Sequence, residues 1–121
     1  MYKVEQKADN LKDGITNMML GAKNDYIRMS QGLLKKELTG YSKDQVDKWD
    51  NLWKVETGKK YIRVVRENGV FCFIVREDSG KFKKGDILKA AGYRAPARNS
   101  ARGNVLTGNY AIQWTGPLYL K

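Results

Sequence analysis

Three evenly spaced arginines are the residues of this 121-residue chain best suited to do chemistry. Arg94, Arg98 and Arg102 recur at every fourth position between Gly92 and Asn104, with Lys89 before them and Asn99 and Ser100 between them. A guanidinium grips a phosphate with two parallel N–H donors, and Asn, Ser and exposed backbone amides add further donors. A helical turn over 97–102, started by Pro96, would put Arg98 and Arg102 on one face. The candidate nucleic-acid-binding set is therefore Lys89, Arg94, Arg98, Asn99, Arg102 and Asn104. Tyr93, Tyr110 and Trp114 lie close enough in sequence to stack on unpaired bases. The competing reading is plainer. The arginines would lie in a solvated loop and pair with acids from the first half, and the aromatics would be core.

The charge distribution supports the first reading. The net charge is +10, from 23 Lys and Arg against 13 Asp and Glu. Residues 1–60 hold 12 basic and 9 acidic side chains, and residues 61–121 hold 11 and 4. After Gly80, eight basic residues face only Asp86. A one-sided basic segment attracts polyanions: nucleic acid first, then an acidic protein surface or anionic lipid.

Other chemistries have little to work with. There is no histidine and one cysteine, Cys72, so the usual zinc sites, the Ser-His and Cys-His pairs and an internal disulfide are excluded. Cys72 lies among apolar residues and reads as a buried, inert thiol. Glu67, Glu77, Asp78 and Asp86 fall near turns rather than in a pattern that would gather a metal. Thr57-Gly58-Lys59-Lys60 resembles a phosphate-binding loop only faintly, since the upstream glycine and the hydroxyl after the lysine are missing. No enzyme, metal or cofactor is expected. No run reaches the ~18 apolar residues of a membrane span, and Met1–Lys7 lacks the apolar block of a secretory signal. The expected location is the cytoplasm of the cell that makes the protein.

The elements that must position these residues form two parts. Residues 1–58 read as helical. Val4, Ala8, Leu11, Ile15, Met18 and Ala22 step by fours and threes, one stripe of a helix about five turns long. Gly14 and Gly21 weaken that helix, so it needs a surface to dock on. A short helix and an irregular connector should follow over 24–41. Ser42 and Gln45 have capping-box spacing for a further helix, ended by Thr57-Gly58, whose apolar face of Val46, Trp49 and Trp53 should bury both tryptophans against the β module. Residues 59–121 read as a basic β module. Two β-branched and aromatic runs flank Asn68-Gly69, a hairpin signal. A turn at those two residues pairs Glu67 with Val70, Val64 with Phe73 and Ile62 with Val75. Both faces of this hairpin are apolar apart from Arg63 and the ends. Further strands are expected at 87–91, 110–114 and 118–120. The fold class is α+β, with N-terminal helices packed on a small antiparallel β-sheet or SH3-like barrel.

Residues 60–65, 71–75 and 84–92, then Arg94-Ala95-Pro96-Ala97-Arg98, Ala101-Arg102-Gly103-Asn104-Val105 and Trp114-Thr115-Gly116-Pro117-Leu118-Tyr119, resemble small hypothetical proteins of tailed bacteriophages. The likeness covers about residues 59–121. It implies a phage origin and expression in the host cytoplasm, and it supplies no catalytic residues. Two classes of function follow as expectations. One is a non-catalytic, nucleic-acid-binding accessory factor. The other is an inhibitor or modulator of a host protein such as a polymerase, nuclease or defence factor, with Trp49 and Trp53 as exposed anchors. A minor virion component is a third reading.

Overall fold

The computed structural model describes residues 1–32, 37 and 40–118. Its fold is α+β, with antiparallel strands in two sheets. Strands β1 (Tyr2–Val4), β6 (Tyr110–Gln113) and β7 (Gly116–Pro117) form one sheet in the order β1-β6-β7. Strands β2 (Trp53–Thr57), β3 (Tyr61–Arg66), β4 (Gly69–Val75) and β5 (Ile87–Leu88) form the other, in sequence order. Helix α1 (Leu11–Gln31), helix α2 (Gly40–Asp47) and a 3₁₀ turn at Trp49–Leu52 are the remaining elements among the described residues.

The long helix starts later than the apolar stripe predicts. Asn10 caps it, its side chain accepting the Asp13 N–H at 2.9 Å. Val4 and Ala8 keep helical phase by coincidence. Val4 instead lies in β1, opposite Tyr110. At its other end α1 runs through Tyr26 and Ile27 to Gln31, where Gly32 takes φ 67° and donates its N–H to Arg28. One helix therefore replaces a helix plus the start of the connector. Leu33, Leu34 and Leu38 lie outside the described residues.

The two helical glycines are explained by what packs on them. A Cβ on Gly14 would stand 2.6 Å from the Val105 carbonyl oxygen, and one on Gly21 would stand 2.5 Å from a Val4 methyl. Low helix propensity is accepted there because backbone and β1 press directly on the helix. Ile15, Met18, Ala22 and Tyr26 complete the buried face. Met18 Sδ lies 3.8 Å from Cys72 Sγ on β4, so α1 also packs against the larger sheet. Asp25 is buried in this interface with both oxygens occupied. One is 2.8 Å from the Met1 ammonium and the other accepts the Trp114 N–H at 2.9 Å.

Helix α2 is short, and the predicted capping box does not form, because Ser42 lies inside the helix. Gln45 is buried and accepts a hydrogen bond from Arg66. Trp53 opens strand β2 instead of continuing a helix. Both tryptophans are nonetheless core residues, as their pattern predicts, at 1% and 8% exposure for Trp49 and Trp53. The Trp49 indole donates to the Met19 carbonyl, Trp53 stacks edge-on to Phe71, and Tyr26 and Trp114 extend the aromatic cluster. The main core thus takes residues from Val4 through Ile112, on both sides of the 58/59 boundary.

The β3–β4 hairpin exists as predicted, in a different register. Its turn is Glu67-Asn68, with the positive φ of 55° on Glu67, and Arg66 pairs with Gly69. A bulge follows: Val65 pairs with Val70 and Val64 with Cys72, leaving Phe71 as the extra residue. Val64 and Phe73 are therefore not partners and contribute to different clusters. Phe71 and Cys72 both enter the main core, while Phe73 joins Val75, Phe82 and Leu88 on the opposite face. A strand alternating strictly in and out cannot place two successive residues on one side, and the bulge removes that constraint. Later strands are shorter than predicted: Gly116–Pro117 is itself a strand, and Tyr119 and Leu120 lie outside the described residues.

Candidate nucleic-acid interface

The second face of the four-stranded sheet positions the basic residues. Phe73, Val75 and Leu88 are covered there by Phe82, Ala90 and Ala101. The covering segment, 89–104, is irregular and lies along β5. Ala97 N–H donates to the Lys89 carbonyl at 2.7 Å, and Arg102 N–H donates to that of Ile87 at 2.8 Å. No helical turn forms over 97–102, because backbone pairing with β5 holds the segment extended.

That arrangement divides the predicted set. Arg94 and Arg98 are exposed, and neither has an acid partner among the described residues. Arg102 is half-buried and donates to the Ser100 carbonyl, with its Nε enclosed and unpartnered. Asn104 is a clamp. Its amide donates to Asp86 and to the Lys84 carbonyl, and its oxygen accepts the N–H groups of Leu106 and Thr107. Asn99 accepts the Ser100 N–H with its side chain, and its carbonyl receives the Lys81 ammonium. Lys89 reaches the Pro117 carbonyl at 3.2 Å. Lys89, Arg102 and Asn104 thus have structural contacts that a phosphate would have to displace.

Of the three stacking candidates, Tyr93 alone is exposed, at 54%. Tyr110 is buried, its hydroxyl has no partner, and burial pushes its pKa up, with the nearby Cys72 adding to the rise. Gly103, at φ 153°, lies so close to Tyr110 that a Cβ would meet the tyrosine Cβ at 2.5 Å. Trp114 is edge-on to Tyr26 at 5.2 Å and near the Arg66 guanidinium. Tyr110 is thus a core aromatic, and Trp114 is half-buried against the core, lining a shallow cleft with Arg66 and Phe71.

The residues that join Arg94 were not in the predicted set. A groove of about 260 Å³ is lined by Lys59, Lys60, Arg63 and Arg94, with Tyr61, Phe73, Glu56 and the Thr57-Gly58 backbone. Lys59 and Lys60 lie in the β2–β3 turn instead of at a helix end. The turn is closed by the Gly58 N–H to Tyr61 at 2.9 Å and fixed by Arg76, which donates to the Gly58 carbonyl at 2.6 Å. Arg63 projects from β3, opposite Phe73. It binds Glu56 at 2.9 Å, donates to the Tyr93 carbonyl at 3.1 Å, and stacks 4.5 Å from the Tyr93 ring. One side chain therefore ties the loop to the sheet, beside Arg94. A second cleft of about 170 Å³ shares Lys59, Lys60 and Tyr61 and is walled by Phe82, Glu77, Asp78 and Ser79. The sequence signals for these residues were two: an arginine alone in an apolar strand, and paired lysines after a turn glycine.

The acids near the turns hold loops in place. Asp78 accepts the Lys84 N–H and Asp86 accepts that of Lys83, each at 2.8 Å. Among the described residues no three acids or cysteines converge on a metal-sized site, and no helix is long and apolar enough to cross a membrane.

Fold and groove together define a small α+β protein with a basic, aromatic-lined sheet face. The chain belongs to a family of unknown function (DUF7717), whose model matches residues 3–120. Neither a curated protein nor a solved structure matches it.

Proposed function

We propose that the protein is a non-catalytic nucleic-acid-binding factor that grips the phosphate backbone through Lys59, Lys60 and Arg94, in a groove where Arg63 ties the Arg94 loop to the sheet. The observation that carries this reading is the convergence of those four cations, from a turn, a strand and a loop, on one concave surface. Among the described residues Glu56 is the only acid lining that groove, and it is neutralised by Arg63. Fixed cations in a groove act together on a polyanion and release its counterions. The exposed Tyr93 ring beside them offers a face for an unpaired base, which favours single-stranded over duplex substrate. The reading as a modulator of a host protein relied on Trp49 and Trp53 as anchors, and these are buried. Phage origin, and action in the host cytoplasm, stay attached to this proposal through the resemblance of residues 59–121.

The test is binding of labelled single-stranded and duplex oligonucleotides, by fluorescence anisotropy over a range of salt. The triple variant Lys59→Gln, Lys60→Gln, Arg94→Gln removes three exposed cations and no internal contact of Arg63. The slope of log K against log salt should flatten by roughly two to three units, at 0.7–0.9 per lost phosphate contact. Arg98→Gln, outside the groove, should change it less. An unchanged slope in the triple variant, or no binding by the unmodified protein at low salt, refutes the proposal.

A further inference from the structure

The four-stranded sheet has one covered edge and one open edge. At β5, Ile87 exchanges hydrogen bonds with the backbone of Arg102 and Gly103, so that side is closed by the loop. At β2 no strand or loop pairs with the outer side among the described residues, and Lys54, Val55, Glu56 and Thr57 are all exposed. The direction of the outer groups follows from the ladder. Glu67 donates to Leu52, and Gly58 to Tyr61, in the same register that aligns Lys54 with Val65 and Glu56 with Arg63. Hydrogen-bonded pairs alternate along an antiparallel ladder. Lys54 and Glu56 therefore bond inwards to β3, and Trp53, Val55 and Thr57 turn their N–H and C=O groups out to the open edge.

We infer that this edge is a homodimer interface, in which β2 pairs antiparallel with β2 of a second copy about a two-fold axis at Val55. In that register Val55 meets Val55, and Thr57 meets Trp53, which is itself buried where the 3₁₀ turn runs into the strand. Lys54 stands opposite Glu56 of the other copy in a non-hydrogen-bonded pair, where side chains come closest. The neighbouring registers that keep the outward groups aligned place Lys54 opposite Lys54, or Glu56 opposite Glu56, and leave a strand end unpaired. Charge thus selects both the partner, a second identical strand, and the register, with the half-exposed Glu56 carboxylate shared between Arg63 of its own chain and the incoming Lys54. A different extended peptide would have to reproduce the alternation of Lys and Glu to match it.

The apolar surface agrees. Val55 is 48% exposed and lines, with Ile15, Met19 and Ile62, a groove of about 440 Å³ between α1 and the β2 edge. Pairing at Val55 brings the two copies' grooves together across the axis. Because the axis is perpendicular to the continuous sheet, both basic grooves face the same way. That consequence bears on function only if the nucleic-acid reading holds, whereas the dimer itself does not depend on it.

The experiment is sedimentation equilibrium of the full chain, free of nucleic acid, from micromolar to sub-millimolar concentration. A reversible monomer–dimer equilibrium is expected. Val55→Pro removes an N–H that the monomer does not use, and should give a folded monomer. Lys54→Glu and Glu56→Lys should each weaken self-association roughly tenfold or more, since each puts two like-charged pairs in the interface. An equimolar mixture of those two variants should associate again, as a heterodimer with opposite charges restored. A protein that is monomeric throughout, a dimer that survives Lys54→Glu unchanged, or a mixture that associates no better than its components overturns the inference. The charge-reversal arms stand even if the proline variant fails to fold.

Discussion

Replacing Gly14 with alanine sets two effects of known size against each other. In a helix interior the substitution should stabilise by about 1 kcal/mol through propensity, since glycine loses more freedom on folding. In this fold, however, the new methyl would lie 2.6 Å from the Val105 oxygen, 2.9 Å from its Cβ and 3.0 Å from its carbonyl carbon. Two of those atoms are backbone, and the backbone is not free to retreat. Val105 N–H is bound to Gly85 at 2.9 Å, the Leu106 carbonyl accepts Ala8 N–H at 3.0 Å, and Asn104 clamps Leu106. Overpacking of this kind costs roughly 1–3 kcal/mol, and contact with restrained backbone belongs at the upper end. The net expectation is a loss of about 1–2 kcal/mol, a fall in Tm of roughly 3–10 °C for a domain of this size. Thermal and urea unfolding followed by circular dichroism measure it. Gly69→Ala is the control, because a Cβ there meets nothing within 4 Å, and it should be close to neutral. A Gly14→Ala protein that melts higher than the parent would show that Val105 does not press on the helix, and the packing of α1 would have to be redrawn.

Trp53→Ala should cost about 3–5 kcal/mol in urea unfolding, because Trp53 is buried between Phe71, at 4.7 Å, and Trp49, at 5.8 Å. Trp53→Phe should cost far less than the alanine change, since the buried indole N–H it removes has no partner. Stability should also fall at alkaline pH. Burial pushes the Cys72 thiol, and the Tyr110 phenol, far up from their ordinary values, so the folded state keeps protons that the unfolded chain releases. That contribution is complete below the unfolded thiol value of about 8.5 and is lost as pH rises past it, then past about 10 for the phenol. Urea midpoints that stay level across this window, or a Cys72→Ala protein that falls as steeply as the parent between about pH 8.5 and 10, would contradict it.

How much of this was legible in the sequence depends on whether the deciding contact is local. The α+β class and the β3–β4 hairpin were legible, because β-branched runs and a polar turn speak for themselves within a dozen residues. The burial of Trp49 and Trp53 was legible too, though not that they occupy a 3₁₀ turn and a strand. The register was not, since Glu67-Asn68 and Asn68-Gly69 are both plausible two-residue turns, and the bulge at Phe71 repays itself only through the α1 core. Strand β1 was hidden for the same reason. Val4, in phase with the helical stripe, becomes part of a strand with Tyr2 and Lys3 because their partner, Tyr110–Ile112, lies at the far end of the chain. The candidate groove was legible only in its Arg94 loop. The charge excess pointed to the 89–104 loop, but alignment along β5, which no local pattern encodes, decided which of its residues face solvent.

The arginines show why formal charge had to be sorted by structure before it could support a function. Arg66 lies against the rings of Trp49, Trp114 and Tyr26 and donates to Gln45, so its charge serves the core. Arg76 holds the β2–β3 turn by its carbonyls, and Arg102 bonds within its own loop. These three contribute to a net charge of +10 without being available to a ligand's phosphates in the same way as exposed residues. Their role is nevertheless part of the site. Arg76 fixes the backbone from which Lys59 and Lys60 project, and Arg63 fixes the loop that carries Arg94. A groove whose cations are supported by further cations bound to carbonyls and aromatic faces keeps its positive charge, whereas support by carboxylates would cancel it. Glu56 is the exception: it lines the groove, bound to Arg63, on the strand where a second copy's Lys54 would meet it.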